Sequence, residues 1–220
     1  MDIREVDANV DRLVLMPTAE THPKGRLYFS AYEVVFWQLG YAFTDHVQAT
    51  ITSWPYVVRD QVFFVDGTVK ANFLRTDLLR LAVLGGATYA AEDDGDDATT
   101  IRGGVLGQLC VTAGCWTSIS GGIIGWKEVG GSEDSLWTGG IGLTSKLSKN
   151  IGILLEVDSA TGRDNGDPDL ADFALLNYGL RFSGRTMGVD IAMVKPMPTH
   201  EFVLGLPWIS FTYRTDPLSL

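Results

Sequence analysis

From residue 25 onward the chain is written in steps of two. In the run 65–73, Val65, Gly67, Val69, Ala71 and Phe73 fall on one side, and Asp66, Thr68, Lys70 and Asn72 on the other. The next run sets Leu79, Leu81, Val83 and Tyr89 against Arg80, Ala82 and Thr88. Later, Ile153, Leu155 and Val157 oppose Gly152, Glu156 and Asp158, while Met187, Val189, Ile191 and Met193 oppose Gly188, Asp190 and Ala192. A two-residue repeat belongs to an extended strand whose faces meet different surroundings. A helix, with 3.6 residues per turn, cannot keep such a repeat on one face. The repeat predicts about twelve strands, at 26–33, 35–43, 46–54, 62–73, 77–90, 98–110, 115–127, 134–146, 149–158, 171–183, 186–195 and 201–214.

The connections alternate as well. Short turns are expected at Thr44-Asp45, Arg75-Thr76, 111–114, Leu147-Ser148 and Gly184-Arg185, and longer acidic or Gly/Pro-rich loops at 55–61, 92–97, 128–133, 159–170 and 196–200. Short turns at one end, long loops at the other and an even strand count predict an all-β fold, a closed antiparallel up-and-down transmembrane β-barrel. A soluble barrel or sandwich is the competing class, with its apolar face turned inward. Three features favour the inverted, membrane case. The polar faces are poor in Lys and Glu and rich in Gly, Ser, Thr and Ala. Their charges, Asp66, Lys70, Arg80, Arg102, Glu156, Asp158, Arg181 and Asp190, are mixed in sign and are expected to line the lumen. Trp37, Tyr41, Phe43, Trp54, Phe73, Tyr89, Trp116, Trp126, Phe211 and Tyr213 cluster near strand ends, where interfacial girdles form.

Composition narrows the partners. A formal net charge of -10 leaves no basic stripe for phosphates, so nucleic acid is not an expected partner. Residues 103–126 carry no formal charge and are long enough for a membrane helix, yet they contain seven glycines. Each glycine costs a helix about 1 kcal/mol relative to Ala, so two spanning strands suit this stretch better. The opening run Asp2-Ile-Arg-Glu-Val-Asp7 is too polar for a secretory signal. Either the protein is cytosolic or this is a mature form from which an export signal has been removed. The barrel pattern of the rest of the chain favours the second, with the bacterial outer membrane as its destination.

Three segments resemble small outer-membrane β-barrels of Gram-negative bacteria. Tyr41-Ala-Phe-Thr-Asp45 followed by Val47-Gln-Ala-Thr-Ile51 is similar to a strand–turn–strand unit of such barrels. Gly140-Ile-Gly-Leu-Thr-Ser-Lys-Leu-Ser-Lys-Asn-Ile-Gly152 and Leu180-Arg-Phe-Ser-Gly-Arg-Thr-Met-Gly-Val-Asp190 look like two more. The chain departs from the pattern at Ala42, where a glycine is usual, and at Asp216-Pro-Leu-Ser-Leu220, which continues past the aromatics that normally close such a chain. The resemblance implies architecture and a lipid bilayer as partner, without a substrate.

Candidate chemistry is sparse. Of His22 in the arm, His46 at a short turn and His200 beside a long loop, only His200 is a plausible catalytic partner, since it neighbours Glu201 and could approach Asp164 or Asp167 across loops. No nucleophile motif accompanies it, so an outer-membrane hydrolase ranks third, and no catalytic residue is assigned. Cys110 and Cys115 flank a predicted turn and are expected to form a structural disulfide that staples one hairpin and contributes little else. Glu92-Asp-Asp-Gly-Asp-Asp97 and Asp164-Asn-Gly-Asp-Pro-Asp169 lack full EF-hand spacing and are read as solvated loops, so neither a metal nor a cofactor is expected. The pairs Gly85-Gly86, Gly103-Gly104, Gly121-Gly122 and Gly139-Gly140 suit strand positions where bulky neighbours need room.

The expected organisation is an N-terminal arm over 1–25, with one short extended piece at Leu13-Val-Leu-Met16, a barrel over 26–214 and a tail over 215–220. A barrel of this size is either a narrow channel for small polar solutes or ions, or a structural membrane scaffold. If the eight lumen charges pair, the interior is largely plugged; if they segregate, they set selectivity. The sequence does not fix the oligomeric state.

Overall fold

A computed structural model describes residues 2–33, 35–54, 63–91, 97–130, 135–163, 173–197 and 204–218. A four-residue helix, α1 (Ile3–Val6), precedes twelve strands: β1 (Leu27–Tyr32), β2 (Phe36–Ala42), β3 (Val47–Ser53), β4 (Phe63–Arg75), β5 (Leu79–Ala91), β6 (Asp97–Cys110), β7 (Thr117–Glu128), β8 (Ser135–Lys146), β9 (Ile151–Arg163), β10 (Phe173–Ser183), β11 (Met187–Met197) and β12 (Leu206–Arg214). Each strand pairs antiparallel with its sequence neighbours, and β1 pairs with β12 to close the barrel. Closure leaves no unpaired edge, which a sheet in a bilayer requires because lipid offers no hydrogen-bond partners.

Several boundaries differ from expectation, β12 among them, which starts at Leu206 and not at 201. Ser159–Arg163, read as loop, continues β9 because β8 supplies partners as far as Ser135↔Arg163. Pro196 and Met197 extend β11, paired with Leu175 and Ala174. The alternation of short and long connections also breaks once. Only residues 33–35 separate β1 from β2 at the loop-side end, where Glu33 adopts φ 51° and donates its N–H to the Ile209 carbonyl at 2.9 Å.

The two faces are sorted as in a membrane barrel. Val69, Val83, Val105, Ile123, Ile141, Leu155, Ile191 and Ile209 stand exposed around the outside. Asp66, Lys70, Arg80, Glu156, Arg181 and Asp190 are buried inside. An apolar band of this extent has no stable place in water. The soluble alternative therefore fails on both counts: the sheet is one closed barrel, and its greasy side faces out. The β-bulge between Asn72 and Leu74 leaves Phe73 without a ladder partner and exposed. One expected girdle residue, Trp126, turns the other way. It shares the inward parity of Ser118, Ser120 and Ile124, and its Nε1 donates to Thr138 Oγ1 at 3.1 Å.

Candidate functional site: the lumen and its arm

The arm fills the turn-side half of the lumen. Ala8, Leu13, Ala19, Glu20, Thr21 and His22 are wholly buried, although none belongs to the barrel wall. The helix α1 opens on Asp2, whose carboxylate accepts the Arg4 N–H at 3.0 Å. Its Ile3 and Val6, with Val10, pack against Cys110 and Cys115, which form a disulfide. The bridge thus does more than staple its own hairpin, because it is also the apolar seat of the arm's first turn.

Beyond the helix the chain rises and folds back. Arg12 and Pro17 form an isolated bridge, and the Leu13 N–H donates to the Met16 carbonyl at 2.8 Å. Leu13–Met16 is therefore the tip of a tight reversal instead of the extended piece expected; Pro17, which has no N–H, follows it. At the tip, the Glu156 carboxylate accepts backbone N–H groups from Val14 at 2.6 Å, Leu15 at 3.1 Å and Met16 at 2.7 Å. Three amides converging on one carboxylate resemble the anion-binding nests of turns, with the protein supplying its own anion. Arg181 does the converse. It donates to the carbonyls of Asn9 at 2.8 Å, Arg12 at 3.0 Å and Leu13 at 3.1 Å, while its Nε holds Asp190 at 2.8 Å. Lys70 donates to the Asp11 and Thr18 carbonyls, Asn72 to that of Ala19, and Arg80 pairs with Glu20.

The wall is carved to receive this segment. A Cβ added at Gly122 or Gly140 would lie 2.9 Å from Met16, one at Gly142 would lie 2.5 Å from Leu13, and one at Gly188 would lie 2.8 Å from Asn9. All are closer than a real Cβ comes to a neighbour, so a side chain at any of these positions would oblige the arm to shift. Gly122 and Gly140 are the inward members of two of the glycine pairs noted in the sequence. Across the closing seam, Arg12 donates to Ser30 of β1 at 3.1 Å and to Thr212 of β12, which are themselves linked at 2.8 Å.

Two arm residues are electrostatically set by this enclosure. Burial would raise the Asp11 carboxyl, but His22, Lys70 and Arg12 together hold it well below the usual carboxylate range. Burial depresses His22, and although Asp11 opposes that shift, Arg214 and Lys70 add to it. His22 Nε2 stands 3.4 Å from Asp11 Oδ1, and its ring packs on Tyr28 at 4.0 Å. His46 lies in an exposed turn with Nδ1 at 3.2 Å from the Asn72 carbonyl.

Above the tip, on the loop side, lies a cavity of about 510 Å³. Val14, Leu15, Met16 and Pro17 contribute from the arm, and the ends of the strands form the wall, with Tyr32, Phe36, Phe64, Leu84, Ile124, Trp126, Leu175 and Trp208 among them. Asp66 pairs with Arg102, whose guanidinium lies 4.6 Å from the centre of the Trp126 ring. Asp158 accepts a bond from Asn177 at 2.6 Å.

The eight charges named from sequence therefore divide. Asp66 with Arg102, and Arg181 with Asp190, pair along the wall. Lys70, Arg80, Glu156 and again Arg181 reach the arm, and Asp158 is held by Asn177 of the wall. Sequence reading missed Asp7, Asp11, Arg12, Glu20 and His22, which form the arm's half of the network. Their signal was faint: several ionisable groups in a segment with no alternating pattern. His200, Glu201, Asp164 and Asp167 lie outside the described residues, as do Glu92–Asp96 of the first acidic run and the whole of the second. Asp97 accepts a bond from Tyr89 at 2.9 Å. Among the described residues no group of three or more His, Cys, Asp or Glu is placed to hold a metal ion.

No protein-family model and no curated protein sequence matches this chain. Solved structures do. The KdgM porin in complex with disordered oligogalacturonate superposes with a TM-score of 0.55 at 9% identity, covering 86% of this chain and 96% of that one. The NanC porin gives 0.53 at 9% identity, covering 86% and 97%. At such identity the likeness is one of fold: a closed twelve-stranded β-barrel similar to those of outer-membrane porins.

Proposed function

We propose that this chain is a bacterial outer-membrane channel for small solutes, held shut by its own N-terminal arm. The observation that carries the reading is a lumen blocked on the turn side by a segment outside the barrel wall and left hollow on the loop side. A purely structural scaffold has no need of a cavity ending on a separable segment. In this reading residues 1–25 are the plug, 26–214 the wall, and 215–220 a tail tied to the rim, where Leu218 donates to the Gly25 carbonyl at 2.8 Å. The lumen charges act mainly as a latch: Lys70, Arg80, Glu156 and Arg181 hold the arm, and Asp66, Arg102 and Asp158 border the solute's entry. The short turns face the periplasm, where Cys110 and Cys115 oxidise. The reading assigns no catalytic step.

The test is conductance in planar bilayers. The full chain is expected to be nearly insulating. A variant lacking residues 2–22, shown to be a closed barrel by heat-modifiable migration, is expected to conduct at least about tenfold more. A closed deletion variant that stays insulating would overturn the channel reading in favour of a scaffold.

A further inference from the structure

The loop-side cavity is made for a different chemistry from the polar lumen around it, and we infer that it binds an uncharged, mainly apolar small molecule bearing a hydrogen-bond acceptor. The inference deepens the channel reading by naming the class of solute, and rests on it only in taking the cavity as the solute's place of entry.

Charge comes first. Arg12, Lys70 and Arg102 border the cavity, as do Asp11, Asp66 and Asp158, so the formal charges cancel. Each is already engaged. Arg102 pairs with Asp66, Lys70 holds two arm carbonyls, and Arg12 donates to Asn9 at 2.9 Å and Ser30 at 3.1 Å. Gln48 donates to Asp11 at 3.1 Å, and Asn177 to Asp158. An ionic solute would have to break one of these pairs and strand a buried partner, which is costly. A neutral one leaves them intact.

The wall argues against a sugar. Leu84, Ile124 and Leu175 line the cavity and offer no partner to hydroxyl groups. The polar side chains beside them, Gln38, Gln48, Thr52, Thr68 and Thr138 among them, already bond to their neighbours. A sugar's hydroxyls would have to displace existing bonds or be buried unpaired, which is expensive. Phe36 and Phe64 add aromatic surface, with Phe36 stacked on Trp54 at 4.8 Å. The floor points the same way. Leu15, at the tip of the arm, is 37% exposed while its neighbours Leu13, Val14 and Met16 are buried, and it lines the cavity. Among the lining residues, two buried donors have no acceptor among the described residues, Trp208 Nε1 and Arg12 Nε, and the Trp208 donor is the uncharged one. A volume of about 510 Å³ lies in the range of small-molecule sites.

The full-length protein in lipid nanodiscs, with empty nanodiscs subtracted, is titrated by calorimetry with 2-naphthol, naphthalene, 2-naphthoate and maltotriose. 2-Naphthol is expected to bind at least about tenfold more tightly than naphthoate or maltotriose. Leu15→Asp should weaken it about tenfold, and Trp208→Phe, which keeps an aromatic ring and removes the donor, should weaken 2-naphthol while leaving naphthalene unchanged. A preference for naphthoate or maltotriose, or unchanged 2-naphthol affinity in both variants, would overturn the inference. Conductance from the arm-deleted barrel would survive that failure, and binding would survive an insulating deletion variant, so the two readings fail separately.

Discussion

The two halves of the lumen solve opposite problems with the same twelve strands. On the turn side, inward positions carry charges and glycines, and a foreign segment lies among them with its backbone amides and carbonyls met by Glu156, Arg181 and Lys70. On the loop side, inward positions carry Leu84, Ile124, Trp126 and Trp208, and nothing among the described residues fills the space they surround. The difference teaches that a plug held through backbone groups needs charged walls with small residues between them, whereas a hollow needs large side chains that satisfy themselves. A polar lumen is thus no sign of an open one; here the filled half is the one whose wall charges reach the arm's backbone, and the charges beside the hollow are engaged with one another or with the arm.

The comparison can be broken most severely at Glu156. Glu156→Ala leaves three amides at the tip without an acceptor, at an expected cost of about 4 kcal/mol to arm seating, a shift on the order of a thousandfold in the opening equilibrium. Hydrogen exchange at Val14, Leu15 and Met16 reads it directly, and unchanged protection there would deny Glu156 its role. Gly142→Val drives a side chain into Leu13, and overpacking of this kind costs about 1–3 kcal/mol. Its signature is a rise in the current of the full chain, and a current equal to the parent's would count against the fit.

Acid is a milder lever. Asp11 is held below its ordinary value, so its contribution to the seated arm is complete above the unfolded value of about 4 and is lost as pH falls through the lower folded value. His22, also held below its ordinary value, withdraws its support first, once pH falls below about 6.5 and through its lower folded value. The full chain should therefore stay insulating at pH 7 and above and conduct progressively as acid is added; a current that rises on going above pH 7 instead would contradict this. Smallest is Gly85→Ala on the outer face, where the nearest atom to an added Cβ is the Arg102 carbonyl oxygen at 3.8 Å. It should leave current untouched and raise barrel stability by at most about 1 kcal/mol, measured by urea titration of the gel shift.

The barrel was legible because strand alternation is a property of side chains in order: Val65 to Phe73 announces two faces before any contact is known. All twelve strands appear within a few residues of their expected places, apart from β12, whose start falls five residues later, and β9, whose end falls five residues later. The arm was not legible as a plug, because what seats it is mostly main chain. The N–H of Val14 and the carbonyl of Leu13 are present in any sequence, and no residue type marks them as reserved for Glu156 or Arg181. The glycine pairs carried half the message. They said that something bulky needs room at Gly122 and Gly140, and only the fold says that Met16 is what comes there. Trp126 was misplaced for a related reason: an aromatic near a strand end suits a girdle or a cavity wall equally, and parity within β7 decides.

The bond from Arg12 to both Ser30 and Thr212 has a bearing on how such a molecule is put together. The first and last strands are the farthest apart along the chain, and their meeting is the step that turns a curved ribbon into a cylinder. A guanidinium delivered from within, touching one hydroxyl on each side, makes the segment that occupies the bore also the clasp of the cylinder, so filling and shutting become a single event.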